Sequence, residues 1–250
     1  MTYFETTPDA APDYRSEKRA RIDGFGSDRE MRELARTWRT KALEKKYMNN
    51  FSWLGRPMIQ LPTDALAMQE IIWAVKPDLV IETGVAHGGS VVMSASMLQL
   101  LGHGSVIGID IEIRPHNRRA IEAHPMAPRI RLIEGSSVDP AVVGEVRQAA
   151  QGKRAVVFLD SNHTHEHVLA ELRAYAPPVC VGGYCVVFDT FVEDMPEDYV
   201  WVDRPWGKGN NPKTAVHAWL AEQPGFEIDR SIEDKLLVTS APDGFLLRVA

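Results

Sequence analysis

Residues 77–90 read PDLVIETGVAHGGS, and this stretch decides the fold of the chain. It begins with a short apolar run, Leu79–Glu82, and continues into a glycine-rich turn that leads to a helical segment. Glycine permits a sharp turn and lets a ligand approach the backbone, with the N–H groups of the helix behind it. The stretch therefore predicts a strand, a ligand-binding turn and a helix.

The same alternation continues along the chain. The predicted strands are Leu79–Glu82, Val106–Asp110, Ile130–Ile133, Ala155–Asp160 and Tyr184–Asp189. Helices are predicted between them, near Ser90–Leu101, His116–Ala123, Pro140–Gln151 and Thr164–Tyr175. Apolar strands that alternate with helices form a parallel sheet covered on both faces, with right-handed crossovers. The predicted class is α/β, a Rossmann-like doubly wound, mostly parallel seven-stranded sheet.

Both ends of the chain depart from this pattern. After a helix at Pro212–Glu222, the runs Phe226–Ile228, Leu236–Thr239 and Phe245–Val249 predict a closing antiparallel hairpin, with its turn at Pro242-Asp243-Gly244. Residues 1–27 predict a loosely held arm, and apolar residues at helical spacing predict a helix over Ser27–Lys46 and another ending near Lys76-Pro77. We divide the chain into residues 1–57, an N-terminal helical extension acting as a lid or subunit contact, and residues 58–250, the α/β domain.

Composition excludes several classes of protein. The chain has 250 residues and 44% hydrophobic content, which suits a soluble globular protein. Its net charge of −6 disfavours nucleic acid as a partner. No apolar run approaches the roughly 20 residues of a membrane helix, and the start lacks a secretory signal pattern. Cys180 and Cys185 are expected to be reduced, and the expected location is the cytoplasm.

Every predicted strand ends in polar or glycine-rich sequence, where ligands bind in sheets of this kind. Asp110 ends the second strand, 26 positions after Gly84, where an acid can accept two hydrogen bonds from a ribose diol. An acid that only caps a loop is the alternative. The turn is not G-x-G-x-x-G, which disfavours a dinucleotide enzyme. Together the turn and Asp110 indicate an adenosyl ligand.

Several segments carry a family resemblance: residues 77–90, 106–115, 158–163, 184–190 and 204–212. They resemble the cephalosporin hydroxylase/rhamnosyl O-methyltransferase family, within the class I S-adenosylmethionine-dependent methyltransferases, from about Trp53 to the C-terminus. The resemblance makes residues 58–250 a class I methyltransferase domain. It implies that Glu82 faces the methionine portion of the cofactor, that Ser90 holds its carboxylate end, that Asp110 binds the ribose and that Ser137 lies near the adenine. The implied cofactor contacts also include Gly84, Ala86, Gly88 and Asp160.

A second resemblance concerns metal-dependent methyltransferases of the catechol type. Asp160, Asp189 and Thr190 fall where those enzymes carry metal ligands, and hard oxygen ligands suit Mg²⁺. Phe188 stands where cephalosporin hydroxylase has an acid, so a third acidic ligand is missing there. Capping of the strand-end loops is the alternative role for both aspartates.

His163 lies three positions after Asp160, where catechol-type enzymes carry a lysine base. An imidazole can take a proton from a hydroxyl group, which gives His163 and Asp160 the expected catalytic roles. His165 and His167 compete for the role of base. The three histidines do not suit one zinc ion, because alternate residues of a helix diverge.

The leading hypothesis is O-methylation of a hydroxyl on a sugar or a glycosylated or polyhydroxylated metabolite. The expected cofactors are S-adenosylmethionine and a divalent metal, Mg²⁺, and the expected partners are the small-molecule acceptor and further copies of the chain, without nucleic acid or membrane. Three alternatives remain: a catechol-like or other natural-product phenol as acceptor, an NAD-linked oxidoreductase, and a non-catalytic protein that keeps the fold.

Overall fold

A seven-stranded sheet forms the centre of the protein in the computed structural model, which describes residues 12–199 and 201–250. The strands of this part of the chain are β1 (Phe51–Trp53), β2 (Arg56–Met58), β3 (Leu79–Thr83), β4 (Ser105–Asp110), β5 (Ile130–Glu134), β6 (Ala155–Leu159), β7 (Tyr184–Val187), β8 (Phe226–Ile228) and β9 (Phe245–Arg248). The helices are α1 (Pro12–Ser27), α2 (Arg29–Glu44), α3 (Pro62–Val75), α4 (Gly89–Leu101), α5 (Pro115–Glu122), α6 (Pro140–Ala150), α7 (His165–Tyr175), α8 (Pro212–Glu222) and α9 (Arg230–Leu236).

The sheet has the strand order β5-β4-β3-β6-β7-β9-β8, and its first five strands are parallel. The chain reverses direction along the sheet at β3, which pairs with β4 on one side and with β6 on the other. Thr83, the last residue of β3, pairs with Ile109 and with Leu159, so the carboxyl ends of the three strands lie together. A crevice forms at such a switch point. The predicted fold class is confirmed.

The apolar strands explain why helices cover both faces. Every residue of β3, β6 and β7 is buried. Side chains from α3, α4 and α9 form one apolar cluster on one face, and side chains from α6, α7 and α8 form a second cluster on the other. Burial of both faces is what the continuous apolar runs require. The two layers cover the faces of the sheet and leave cavities at the carboxyl ends of its strands.

The closing hairpin pairs different segments from those predicted. β9 pairs antiparallel with β8 and with β7, and the predicted strand Leu236–Thr239 is wrong. Asp229 caps α9 by accepting a hydrogen bond from the N–H of Ser231 at 3.1 Å, so the chain after β8 forms a helix. Past Leu236, the hydroxyl of Thr239 and the N–H of Ser240 donate to the buried Asp64, which turns the segment away from the sheet.

The N-terminal extension is more ordered than predicted. Residues 12–27 form α1, which packs against α9 and buries Ile22, so the prediction of a loose arm is wrong there. Residues 1–11 lie outside the described residues. The helix predicted over Ser27–Lys46 is present as α2, capped by Asp28. The hairpin β1–β2 follows and contacts α4.

Two smaller expectations concern the cysteines and the membrane. Cys180 and Cys185 are both free thiols, and Cys185 is buried in the sheet. In the described part of the chain, no helix combines the length and the apolar character that crossing a membrane requires.

Candidate functional site

Two cavities lie side by side at the carboxyl ends of the strands, with volumes of about 480 Å³ and about 510 Å³. The first extends toward the N-terminal extension, with Gln60, Ser90, His163 and Asp189 in its wall. The second extends along β4 and β5, with Asp110 and Ser137 in its wall. Gly84, Ala86, Asp160 and Arg204 line both cavities, so the two spaces meet at these residues.

The turn after β3 has a backbone conformation that its sequence makes possible. Gly84 has φ of 90°, and a Cβ atom on it would lie 1.9 Å from the backbone oxygen of Asp160. Only glycine therefore lets the turn pass this close to β6. Ala86 has φ of 45°, an uncommon value for a residue with a side chain, and it costs conformational free energy.

Asp110 holds this turn in place. Its Oδ2 accepts hydrogen bonds from the backbone N–H groups of Val85 at 2.8 Å and Ala86 at 3.0 Å. Its Oδ1 has only a long contact of 3.4 Å with the N–H of Glu112. Asp110 lines the second cavity, so one oxygen shapes the turn and the other can accept hydrogen bonds from a ligand.

Glu82 is a buried carboxyl group beneath the turn. It is 2% exposed, its Oε1 accepts a hydrogen bond from the Ser90 hydroxyl, and its Oε2 has no hydrogen-bond partner. Burial raises the pKa of Glu82 to about 7, and the hydrogen bond from Ser90 opposes this shift. An unpartnered buried acceptor is unfavourable, so a ligand that brings a cationic N–H donor here would be stabilised.

Asp160, His163 and Asp189 form a cluster that follows β6 and β7. One potential ligand atom from each of the three lies within 4.8 Å of the others, and His163 Nε2 lies 3.0 Å from Asp189 Oδ2. Asp189 adopts a left-handed backbone conformation, with φ of 56°. Two carboxyl groups share a small space in this cluster.

The electrostatics of the cluster favour a cation. Burial, followed by the negative charges of Asp189 and Glu82, raises the pKa of Asp160 well above its usual range. Burial also raises the pKa of Asp189, and the neighbouring His163 lowers it. A divalent cation would offset the repulsion between the two carboxylates, and their hard oxygens suit Mg²⁺. The donor set therefore fits such a metal.

Three predicted residues make contacts that the sequence did not show. The Thr190 hydroxyl is fully buried and donates to the backbone oxygen of Pro242 at 2.6 Å, while His163 lies together with Asp160 and Asp189. The Ser137 hydroxyl donates to Glu171 at 2.5 Å, so its proton is already used. His165 pairs with Thr214 at 2.8 Å, which makes it a structural residue at the start of α7.

Two residues of the site were missed from the sequence. Gln60 donates a hydrogen bond from Nε2 to Asp160 Oδ2 at 2.8 Å, although 100 positions separate the two residues. The guanidinium of Arg204 lies 5.0 Å from the centre of the Trp206 ring, which makes an edge contact with His163 at 4.8 Å. Trp206 thus packs against the site itself. No sequence pattern marks Gln60, and Arg204 was included only within the segment 204–212 that carries the family resemblance.

Known proteins resemble this chain over most of its length. The family profile described as Rhamnosyl O-methyltransferase/CmcI matches residues 45–249. The Rhamnosyl O-methyltransferase of Mycobacterium bovis is 32% identical over 213 residues, which cover 82% of this chain and 82% of the relative. The enzyme of the same name from Mycobacterium leprae is also 32% identical and is covered to 88%. A solved structure of CmcI with Mg and SAM has the same fold, with a TM-score of 0.55, 17% identity and coverage of 81% of this chain and 78% of that one.

Proposed function

The chain belongs to the rhamnosyl O-methyltransferase/CmcI family and is an S-adenosylmethionine-dependent O-methyltransferase; we propose that it methylates a hydroxyl group of a sugar or natural product at the Asp160–His163–Asp189 cluster. One observation carries this proposal. The cluster lies where the two cavities meet, so a cofactor that spans this junction and an acceptor in the rest of the first cavity would have their reacting atoms beside it. The family is one of O-methyltransferases, which argues against an NAD-linked oxidoreductase.

We assign the second cavity to the adenosyl portion of the cofactor. Asp110 would bind the ribose, Ser137 would lie near the adenine, and the turn containing Gly84, Ala86 and Gly88 would pass beneath the ligand. The methionine portion would lie against Glu82 and Ser90, where the unpartnered Oε2 of Glu82 supports binding of an ammonium group. The sugar acceptor would occupy the first cavity, and the mycobacterial relatives favour a sugar over a phenol.

Asp160 and Asp189 would hold the divalent cation, most suitably Mg²⁺. When bound, the cation supplies positive charge that lowers the pKa of a neighbouring hydroxyl group. His163 takes the hydroxyl proton as the acceptor oxygen attacks the methyl carbon. The cofactor would supply the methyl group: a new O–C bond would form, the S–C bond would break with its electron pair going to sulfur, and S-adenosylhomocysteine would be left. Asp189, 3.0 Å from His163, stabilises the protonated imidazole.

The role of Asp110 gives a prediction for cofactor binding. Asp110→Ala should weaken the binding of S-adenosylhomocysteine by about 1.5–3 kcal/mol, because a charged acceptor for the ribose is lost. Isothermal titration calorimetry measures this change. Glu112→Ala removes an exposed charge two positions away and should leave the affinity unaltered. Wild-type affinity in a folded Asp110→Ala protein would remove the ribose assignment.

We also propose that α2 joins two copies of the chain. The face of α2 toward the protein body carries Arg39, which pairs with Asp194 at 3.1 Å, and the buried Ala42, while Leu34 and Trp38 are 64% and 45% exposed. Glu30 lies in the first turn of α2 and Lys41 in the last turn, so two copies packed antiparallel would bring these opposite charges together. This supports a subunit contact rather than a lid for residues 1–57. Such an oligomer is proposed to act in the cytoplasm, as the sequence led us to expect.

Substitution of the exposed stripe tests this contact. The double variant Leu34→Glu, Trp38→Glu should weaken self-association at least about tenfold, because it adds charge to an apolar surface. Light scattering after gel filtration gives the mass. Leu100→Glu, at another exposed apolar position, should keep the wild-type mass. A monomeric wild-type protein, or an unchanged mass in the double variant, would contradict the proposal.

A further inference from the structure

Gln60 is a buried amide in the wall of the first cavity. It lies between β2 and α3, is 4% exposed and contacts Asp160 through Nε2. Its Oε1 is buried and has no hydrogen-bond partner. Leaving an amide oxygen unpaired in the protein interior is unfavourable, and well-packed proteins rarely contain such groups without a functional reason.

The contact with Asp160 fixes what Gln60 can offer to a ligand. With a cation held at the cluster, Asp160 is ionised and can only accept hydrogen bonds, so the NH₂ end of the amide then faces Asp160, as it does in the structure. The amide oxygen is then the atom left for the cavity. A ligand that satisfies it has to bring a hydrogen-bond donor.

A second buried acceptor without a hydrogen-bond partner indicates which kind of donor the ligand carries. Glu82 Oε2 is also buried and makes no hydrogen bond of normal geometry, although the unpaired Ser94 hydroxyl lies near this carboxyl group. Ser90, which binds the other oxygen of Glu82, lines the same cavity as Gln60. A hydroxyl group carries one hydrogen, whereas a primary ammonium group carries three and a positive charge. An ammonium group therefore suits a cavity wall that offers an amide oxygen beside a carboxyl group, and Gln60 contacts the carboxyl group of Asp160 directly.

We propose that Gln60 binds the ammonium group of the amino-acid portion of the cofactor through Oε1 while Nε2 holds Asp160 in place. This inference rests on the proposed function, since it takes S-adenosylmethionine as the ligand. Gln60 thereby connects the amino-acid end of the cofactor to the carboxylate at the reacting centre. It acts as a cofactor-binding residue and as a positioning residue for Asp160.

Two ligands and two variants test the proposal. Calorimetry would compare S-adenosylhomocysteine with 5′-methylthioadenosine, which has the adenosyl thioether but no amino-acid portion. Gln60→Met keeps the length of the side chain and removes both polar groups. It should weaken the binding of S-adenosylhomocysteine at least about tenfold and leave that of methylthioadenosine within about twofold. Gln60→Glu keeps an oxygen acceptor and should retain the affinity for S-adenosylhomocysteine.

The outcomes separate the inference from the function on which it rests. If Gln60→Met weakened the binding of both ligands equally, the role of Gln60 would be merely structural. If it weakened the binding of neither ligand, Gln60 would not contact the cofactor. Both results overturn the inference. Loss of affinity in Gln60→Glu as large as in Gln60→Met would also overturn it. If the wild-type protein binds neither ligand, it is the proposed function that fails. Thermal unfolding of Gln60→Met verifies that the variant is folded, since it removes the unpaired oxygen of Gln60 and also the hydrogen bond that Asp160 accepts.

Discussion

Asp160→Asn is expected to lower kcat by about a thousandfold and to weaken the binding of S-adenosylhomocysteine by less than about tenfold. Asparagine has the shape of aspartate and can still accept the hydrogen bond from Gln60 Nε2. It lacks the negative charge that would hold a cation between residues 160 and 189. The loss should therefore fall on the chemical step, where the charge is needed, and much less on cofactor binding.

A methyl-transfer assay with an accepted glycoside and calorimetry with S-adenosylhomocysteine measure the two quantities separately. Asp203→Asn, at an exposed position of the connection after β7, is the matched control and should keep the wild-type kcat. If Asp160→Asn retained more than about a tenth of the wild-type kcat, its carboxylate would have no part in the reaction.

His163→Ala is expected to lower kcat by about 10²–10⁴-fold at neutral pH, the usual contribution of a general base. Only the neutral imidazole can take the hydroxyl proton, so the wild-type rate should fall as the pH decreases and the ring becomes protonated. The variant has no group that titrates in this role. Its remaining activity should lack the part of the acidic decrease that His163 causes, while protonation of Asp160 and Asp189 would still lower the rate at more acidic pH.

The profile of kcat against pH, measured for both proteins, checks this expectation. His165→Ala is the control, because His165 pairs with Thr214 away from the cluster and should leave the profile unchanged. His163 could instead serve as a metal ligand, since it lies in the same cluster. If His163→Ala kept the decrease in rate at acidic pH and lost the binding of Mn²⁺, His163 would be a metal ligand and not the base.

The sequence predicted those parts of the fold that depend on local pattern. The alternation of apolar runs with helices specified the sheet, and the glycine-rich turn specified which strand carries the ligand site. The run Leu236–Thr239 misled the prediction, because it resembles a strand locally. Its conformation is decided by Asp229 and by the buried Asp64, which lies 175 positions from Thr239 along the chain.

The functional site was also predictable only where it depends on local sequence pattern. Asp160 and Asp189 were identified because each ends a predicted strand, and all parallel strands end at one edge of the sheet. The hydrogen bonds of Gln60 and Thr190 could not be foreseen from the sequence, since the partner of each is set by tertiary packing. Thr190 follows Asp189 directly, yet its hydroxyl turns to Pro242. Residue adjacency in sequence does not fix side-chain direction at a strand end.

Anomalous diffraction from crystals grown with S-adenosylhomocysteine and Mn²⁺ tests the central claim most directly, because it needs no knowledge of the acceptor. The account predicts S-adenosylhomocysteine across the junction of the two cavities, with its ribose on Asp110. It also predicts an anomalous peak within coordination distance of both Asp160 and Asp189. A cofactor in place with no peak at these carboxylates, or a peak elsewhere, would contradict the metal-assisted reaction at this cluster.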